Sequence, residues 1–261
     1  PPTSIAPSSV TADPRVFQRA TTVALVGLAI QAVLAVATGL VALWSDSQAV
    51  YAAGWHMLGG LPIWIMLAVI YSQHESERAQ RLAADKLAAD SAATAAIFAN
   101  LDDDLDAARR RLDNLYRFGL PTVSVLVALY LLSAGISLAW VQARAGDDAS
   151  PLAENCNPVG LMFALASIAF VAFIGGRWLA GYGRQRAWQL LRGGASYLMS
   201  CFVIALIVMA GVAVLTVAGV PNVFEAMGYV IPGVMIGIGL EIFLTTLLES
   251  YRPRVPGEIP R

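Results

Sequence analysis

Long apolar runs separated by short polar segments dominate the pattern of this chain of 261 residues. A helix that crosses the hydrocarbon core of a bilayer needs about 20 mainly apolar residues. Since only helices and closed barrels satisfy their backbone groups in lipid, runs of this length predict an all-α polytopic membrane protein with six transmembrane helices. The six runs cover 20–44, 49–71, 119–143, 158–182, 195–220 and 227–248.

The segments between the runs support the count of six. Spans one and two are separated only by Ser45, Asp46, Ser47 and Gln48. Spans five and six meet at Pro221-Asn222, a dipeptide typical of turns. Both pairs are therefore predicted to form tight antiparallel hairpins.

Composition agrees with a chain whose surface mostly faces lipid. Hydrophobic residues make up 57% and charged residues 13%, whereas a soluble domain carries about 25% charged residues. The net charge of −1 gives no bias toward nucleic acid. The lipid bilayer is the first predicted partner, and a protein partner or self-association is the second.

Lys and Arg fall almost entirely on one side of the predicted spans. Six spans place both termini on one side, and sixteen of the seventeen basic residues then lie there, leaving only Arg144 on the other. Cytoplasmic loops carry an excess of Lys and Arg. Both termini are therefore predicted to be cytoplasmic, with the chain in the cell (inner) membrane.

The domain layout follows from these spans and from one large polar insert. The insert is rich in Ala and charged residues, has no Gly or Pro between 76 and 99, and is predicted to form a cytoplasmic helical hairpin. The predicted parts are a disordered cytoplasmic N-terminus (1–19), a transmembrane hairpin (20–71), the cytoplasmic helical hairpin (72–118), spans three to six (119–248) and a Pro-rich cytoplasmic tail (249–261).

An apolar stripe runs along the second arm of the insert. Its members recur at spacings of three and four, which places them on one helix face. The two arms burying this stripe against each other is the favoured interpretation, and a coiled-coil contact with a partner chain is the alternative. The stripe consists of Ile97, Leu101, Leu105, Ala108, Leu112 and Leu115.

Two ionisable residues lie inside predicted spans, where charge is costly and is by default a functional candidate. Glu241 in span six stands eight residues before Glu249, roughly 12 Å inside the boundary at 1.5 Å per residue. Arg177 in span four lies at a similar depth. The two are predicted either to form a structural ion pair, with Arg177 also reaching lipid headgroups, or to serve transport.

Three further polar residues are expected at one depth near the middle of the membrane. They are His56 in span two, Gln31 in span one and Ser133 in span three. Such a cluster is either a proton or ligand site, or a set of hydrogen bonds that hold the spans together. The second interpretation is favoured because His56 has no acidic residue at its level.

Glycine and proline mark two spans as irregular. Gly233 and Gly237 form a GxxxG pattern in span six, which allows another helix to approach closely. Pro62 and Pro232 each remove a helix hydrogen bond and are predicted to kink their spans. Broken helices line substrate sites in transporters, but they also occur in ordinary bundles whose neighbours satisfy the freed carbonyls.

The sequence contains no pattern that predicts catalysis. It has two histidines and two cysteines, and no nucleophile elbow, zinc-protease or phosphate-loop motif. We predict no catalytic residues, no cofactor and no metal site, and the protein is not expected to be an enzyme.

The segment Leu248–Glu258 resembles a junction found in some bacterial membrane proteins. In those proteins a multi-spanning N-terminal region precedes an SPFH (band-7, HflK-like) domain, and the six-span layout with a charged insert after span two is similar. The resemblance implies a membrane anchor or scaffold and no catalytic residues, and the Pro-rich tail by itself predicts a following domain.

Two functions are therefore expected from the sequence. The first is a non-enzymatic membrane anchor or scaffold that organises a cytoplasmic or membrane assembly. The alternative is a small transporter or channel that uses Glu241 and His56.

Overall fold

The computed structural model describes residues 14–90, 106–145, 152, 156–185, 189–219 and 221–251. Within these ranges the chain is helical apart from short turns, and no β-strand occurs there. Six helical stretches are long and apolar enough to cross a bilayer. The all-α polytopic fold class predicted from the apolar runs is confirmed.

The six spans are built from seven α-helices in these ranges, because span two is divided. The first helix begins at Pro14, ahead of the predicted boundary at 20, and helical residues 106–114 and a π-helical turn at Leu115–Gly119 lead into the fourth. The bounds are α1 Pro14–Ser45, α2 Gln48–Gly59, α3 Leu61–Asp90, α4 Leu120–Ala145, α5 Pro158–Gln185, α6 Gln189–Ala218 and α7 Pro221–Tyr251.

Both short connections are turned by a residue with left-handed backbone. Asp46 after α1 has φ 49°, and its N–H donates to the carbonyl of Ala42 at 2.9 Å. Gly219 after α6 has φ 62°, and its N–H donates to the carbonyl of Leu215 at 3.1 Å. Such a residue ends a helix sharply and satisfies one of its last carbonyls. α1 packs on α2, and α6 packs on α7.

The helices pack most extensively as three pairs: α1 with α3, α4 with α7, and α5 with α6. α2 joins the pairs, because it contacts α1, α4, α6 and α7. Glycines allow the closest approaches: a Cβ atom on Gly27 or Gly194 would lie 2.3 or 2.8 Å from the fully buried ring of Trp64. Close packing of this kind drives association in lipid, where burying apolar surface offers little advantage.

Large apolar side chains cover the outside of the bundle. Val33, Leu40, Phe163 and Phe170 are each more than 60% exposed. Soluble monomers rarely expose a contiguous apolar patch larger than a few hundred Å². The outer surface therefore fits a lipid environment and not water.

The two arms of the polar insert meet where they leave the bundle. Glu77 of α3 forms an ion pair with Arg81 and lies 3.8 Å from the Nε of Arg109 on the returning arm. Nearer the bundle, His74 Nε2 lies 2.9 Å from the hydroxyl of Tyr116. The start of the predicted helical hairpin is thus an antiparallel pair of helices in contact.

Several sequence predictions fall outside the described ranges. These are the tip of the insert with the stripe residues Ile97, Leu101 and Leu105, the N-terminal lead-in over 1–13, and the tail over 252–261. Residues 249–251, which the prediction assigned to the tail, continue α7.

Candidate functional site

Span two is interrupted at Gly60, between the end of α2 at Gly59 and the start of α3 at Leu61, and we call this interruption the helix break. The N–H of Gly60 bonds to the carbonyl of Met57 at 3.3 Å, three residues earlier. It does not reach His56, the partner four residues earlier that a regular α-helix would provide. The carbonyl of His56 therefore needs another donor, because an unsatisfied backbone group inside a bilayer is very costly.

Side chains from two neighbouring helices donate to the carbonyls at the helix break. Tyr197 of α6 donates its hydroxyl hydrogen to the carbonyl of His56 at 2.5 Å. Gln31 of α1 donates from Nε2 to the carbonyl of Met57 at 2.5 Å. Gln31, His56 and Met57 are completely buried. The break thus connects α2 to the preceding helix α1 and to α6, which is distant in the sequence.

The imidazole of His56 is held between two residues of α6. Its Nε2 lies 2.9 Å from the Ser200 hydroxyl, which donates its own hydrogen to the carbonyl of Tyr197 at 2.7 Å. Because that hydroxyl hydrogen is already used, Nε2 of the neutral ring must be the donor and Nδ1 the bare acceptor. The ring also stacks on Tyr197, with centroids 4.9 Å apart and an interplanar angle of 6°.

Two acceptors at the break have no hydrogen-bond partner within the described part of the chain. They are His56 Nδ1 and Gln31 Oε1, and both atoms are buried. Gln31 makes a second, long contact of 3.7 Å from Nε2 to the Sγ of Cys201. Close by, the Thr38 hydroxyl lies 2.8 Å from Met57 Sδ and 2.7 Å from its own helix carbonyl at Leu34. The cluster is polar but uncharged.

The helix break is filled by these side chains. A Cβ atom on Gly60 would lie 2.6 Å from Cε1 of Tyr197 and 2.7 Å from Cδ of Gln31. A Cβ on Gly59 would lie 2.6 Å from the Tyr197 hydroxyl. Real Cβ contacts are not this short, so a side chain at Gly59 would displace Tyr197, and one at Gly60 would displace both Tyr197 and Gln31.

The structure brings together two of the three polar residues expected at mid-membrane. Gln31 and His56 meet at the break, but Ser133 is exposed on α4 and bonds to the carbonyl of Tyr130 in its own helix at 3.0 Å. Ser133 is therefore not part of the cluster, because its exposed side chain bonds within its own helix.

Sequence reasoning missed three residues of the cluster, all from α6. Tyr197, Ser200 and Cys201 are spaced three and four residues apart and so lie on one helix face. That spacing was a usable signal. The missing information was that this face of α6 lies against the break in span two.

The predicted ion pair in the membrane is not formed. Glu241 and Arg177 are both exposed on the outside of the bundle. The ion pairs that the described ranges contain join Glu77 to Arg81 and Arg109. The two residues were expected to pair because they lie at similar depth, but their helices are separated by α6, which packs against both.

The prolines and the GxxxG glycines that mark irregular spans differ in how closely other helices pack around them. Pro62 lies in the first turn of α3, where its missing N–H leaves no gap, so the break stands just before it. Pro232 lies inside α7, and a Cβ on Gly135 of α4 would be 2.9 Å from its carbonyl oxygen. Gly233 and Gly237, by contrast, face open space with no atom within 4 Å of a Cβ. Within the described part of the chain, no other helix therefore packs against the GxxxG pattern.

The chemistry available at the break is hydrogen bonding. Among the residues that the structure describes, no group of three His, Cys, Asp or Glu side chains is placed to hold a metal ion. Cys156 and Cys201 are free thiols. Together, the fold and the break define an α-helical multi-pass membrane protein with a buried polar interruption in one span. No protein-family model matches the chain, and no curated protein matches it significantly.

Proposed function

We propose that this protein is a non-enzymatic membrane scaffold, which anchors and organises an assembly at the cytoplasmic face of a bacterial inner membrane. The observation that carries the proposal is the filled helix break. Tyr197 and Gln31 occupy the space beside Gly59 and Gly60 so closely that a methyl group would not fit. A packed break of this kind holds helices together and offers no passage to a solute.

The paired arms support the same proposal. α3 continues from the bundle to Asp90, and residues 106–119 return alongside it. The contacts of Glu77 with Arg109 and of His74 with Tyr116 hold the two arms together at their base. In this proposal the arms and the tail, whose sequence resembles an SPFH junction, contact the assembly, with both termini cytoplasmic.

A transporter or channel is the second candidate, and one specific observation favours it. His56 Nδ1 and Gln31 Oε1 are buried acceptors without partners at a broken helix. Transporters bind substrates and ions at discontinuous helices near the middle of the membrane. A proton or small cation bound at either acceptor would give it the partner that it lacks.

Flux measurements decide between the two functions. Purified protein in liposomes is compared with protein-free liposomes under H⁺, Na⁺ and K⁺ gradients. A scaffold gives no flux above the protein-free rate. Flux that is lost in His56→Gln or Glu241→Gln, but kept in the Ser133→Ala control, would overturn the scaffold proposal and support transport.

A further inference from the structure

We propose that two copies of this chain associate in the membrane through α5 of one copy and α7 of the other, with Arg177 of one copy paired to Glu241 of its neighbour. This inference goes beyond the scaffold proposal and does not require it, since a transporter could associate in the same way. It starts from two charges that the bundle leaves on its lipid-facing surface.

Arg177 lies at the level of the helix break. A Cβ on the preceding Gly176 would be 3.0 Å from the Sδ of Met199 in α6. Met199 is two residues from Tyr197, which caps the break. These contacts place Arg177 within about one helical turn, roughly 5 Å, of the break along the bundle.

Glu241 lies at the same level on the other side of α6. A Cβ on Gly239, two residues earlier in α7, would be 3.3 Å from the Cβ of Leu131 in α4. Leu131 also touches Gly59 at the break, with 3.2 Å from its Cδ2 to a Cβ built there. Arg177 and Glu241 thus occupy one layer, well inside the ends of their helices.

Among the residues that the structure describes, neither charge has an ion-pair partner. Both side chains are exposed, and each lies on a helix that packs against α6. A charged side chain facing lipid at this depth is costly, and an opposite charge from a neighbouring protein would relieve the cost. Because each copy carries both signs at one depth, a second copy of this chain provides the complementary partner.

The helix surfaces around the two charges are complementary in the same register. α5 and α7 both run toward the side on which α1 begins, so in two copies with one orientation these helices are parallel. Aligning Arg177 with Glu241 brings Phe173 level with Gly237, each four residues earlier. Phe173 is 40% exposed, with one side of its ring against Phe202 of α6 at a centroid distance of 5.1 Å. Gly237 has no atom within 4 Å of a Cβ.

One turn further along, the pattern repeats. Phe170, seven residues before Arg177, is 63% exposed, and Gly233, eight residues before Glu241, is again open. Two aromatic side chains thus face two glycine positions that have room for them. Aromatic groups entering glycine hollows give the close packing on which helix association in lipid depends.

Thiol cross-linking in native membranes tests the contact directly. One tagged copy carries Ile174→Cys and a second, differently tagged copy carries Leu240→Cys, since these residues border the two charges and are exposed. A short bismaleimide is expected to join the two tags. Val36→Cys on α1, which is 64% exposed, replaces Ile174→Cys in the control and should give only background.

Charge reversal tests the ion pair. Arg177→Glu and Glu241→Arg are each expected to lower the association constant in lipid about tenfold. The chain carrying both changes restores complementary charges and should regain association. Arg184→Glu, an exposed position on the same helix, is the matched control and should associate like the wild type. Glu241→Gln serves if a reversal variant does not purify as a folded protein, with partial loss expected.

The outcomes separate clearly. Cross-linking between the two tags, together with rescue by the double reversal, supports the proposal, whether the product is a dimer or a ladder of larger rings. Cross-linking no stronger than with Val36→Cys, a double reversal that stays dissociated, or a link from Leu240→Cys only to a different protein would overturn it. None of these readouts depends on flux, so the scaffold proposal is tested separately.

Discussion

Gly60 shows how a single residue is fixed by its neighbours. Its position is occupied on one side by Tyr197 and on the other by Gln31, each of which donates to a carbonyl at the break. A larger residue would push away the same two side chains that satisfy the backbone. The side chains that fill the space at the break are therefore the same ones that satisfy its carbonyls.

Gly60→Ala is expected to lower the free energy of unfolding by about 1–3 kcal/mol, the usual range for inserting a methyl group into a packed core. The measurement is an unfolding titration with sodium dodecyl sulfate in mixed micelles. Gly39→Ala is the control, because a Cβ at Gly39 meets no atom within 4 Å. It should leave stability unchanged or raise it by up to about 1 kcal/mol. Equal destabilisation by both changes would contradict the packing argument.

At the scale of helices, α3 is one continuous helix with an apolar part inside the bundle and a charged part outside it. α3 begins inside the bundle at Leu61 and ends at Asp90 in a stretch rich in charged residues. Beyond the lipid, the arm can be stabilised by pairing with the returning arm, and the Glu77–Arg109 and His74–Tyr116 contacts begin that pairing. Arg109 is exposed but Glu77 is buried, so the ion pair and the ring contact nearer the bundle both hold the arms together.

Cysteines placed on the facing sides of the arms should be joined within one chain. We expect His74→Cys with Tyr116→Cys to react with a short bismaleimide, because the two rings lie 5.7 Å apart. Ser72→Cys with Tyr116→Cys is the control, since Ser72 is exposed and lies two residues away on the other face of α3. The chain is then cut by a protease between the arms, and the two fragments should stay together on a denaturing gel only when the cysteines are cross-linked. Equal yields from both pairs would mean that the arms are not held in this arrangement.

Basic residues are distributed unequally between the two ends of the bundle, and this distribution predicts how the protein is oriented across the membrane. Exposed basic residues such as Arg110 and Arg184 stand at the end of the bundle where α1 begins. Arg144 stands at the opposite end, over the ring of Trp140 at 4.6 Å. Because cytoplasmic loops retain Lys and Arg, the end with Arg110 and Arg184 is predicted to face the cytoplasm and the end with Arg144 the opposite side.

Labelling from outside the cell checks this orientation. Arg144→Cys is expected to react with a membrane-impermeant maleimide in cells whose inner membrane is intact. Arg110→Cys should react only after that membrane is permeabilised. The native thiols of Cys156 and Cys201 are buried, so the unsubstituted chain is the background control. Reaction of Arg110→Cys in intact cells would reverse the predicted topology.

The sequence by itself determined the spans and the irregular one among them. Length and apolarity are local properties, and a bilayer of fixed thickness selects helices of one length, so the six runs and the interruption near Pro62 could be predicted residue by residue. Gln31 and His56 could be placed at one depth by the rise per residue alone.

Only the tertiary structure decided which face of each span is buried. In lipid the inner and outer faces of a helix are both apolar, so no hydrophobic pattern tells them apart. The tertiary structure therefore turned Ser133, Glu241 and Gly237 outward and brought Tyr197 of α6 to the break. The physical reason is that helix association depends on close contact between two particular helix surfaces. The sequence of one helix alone therefore does not determine which of its faces is buried.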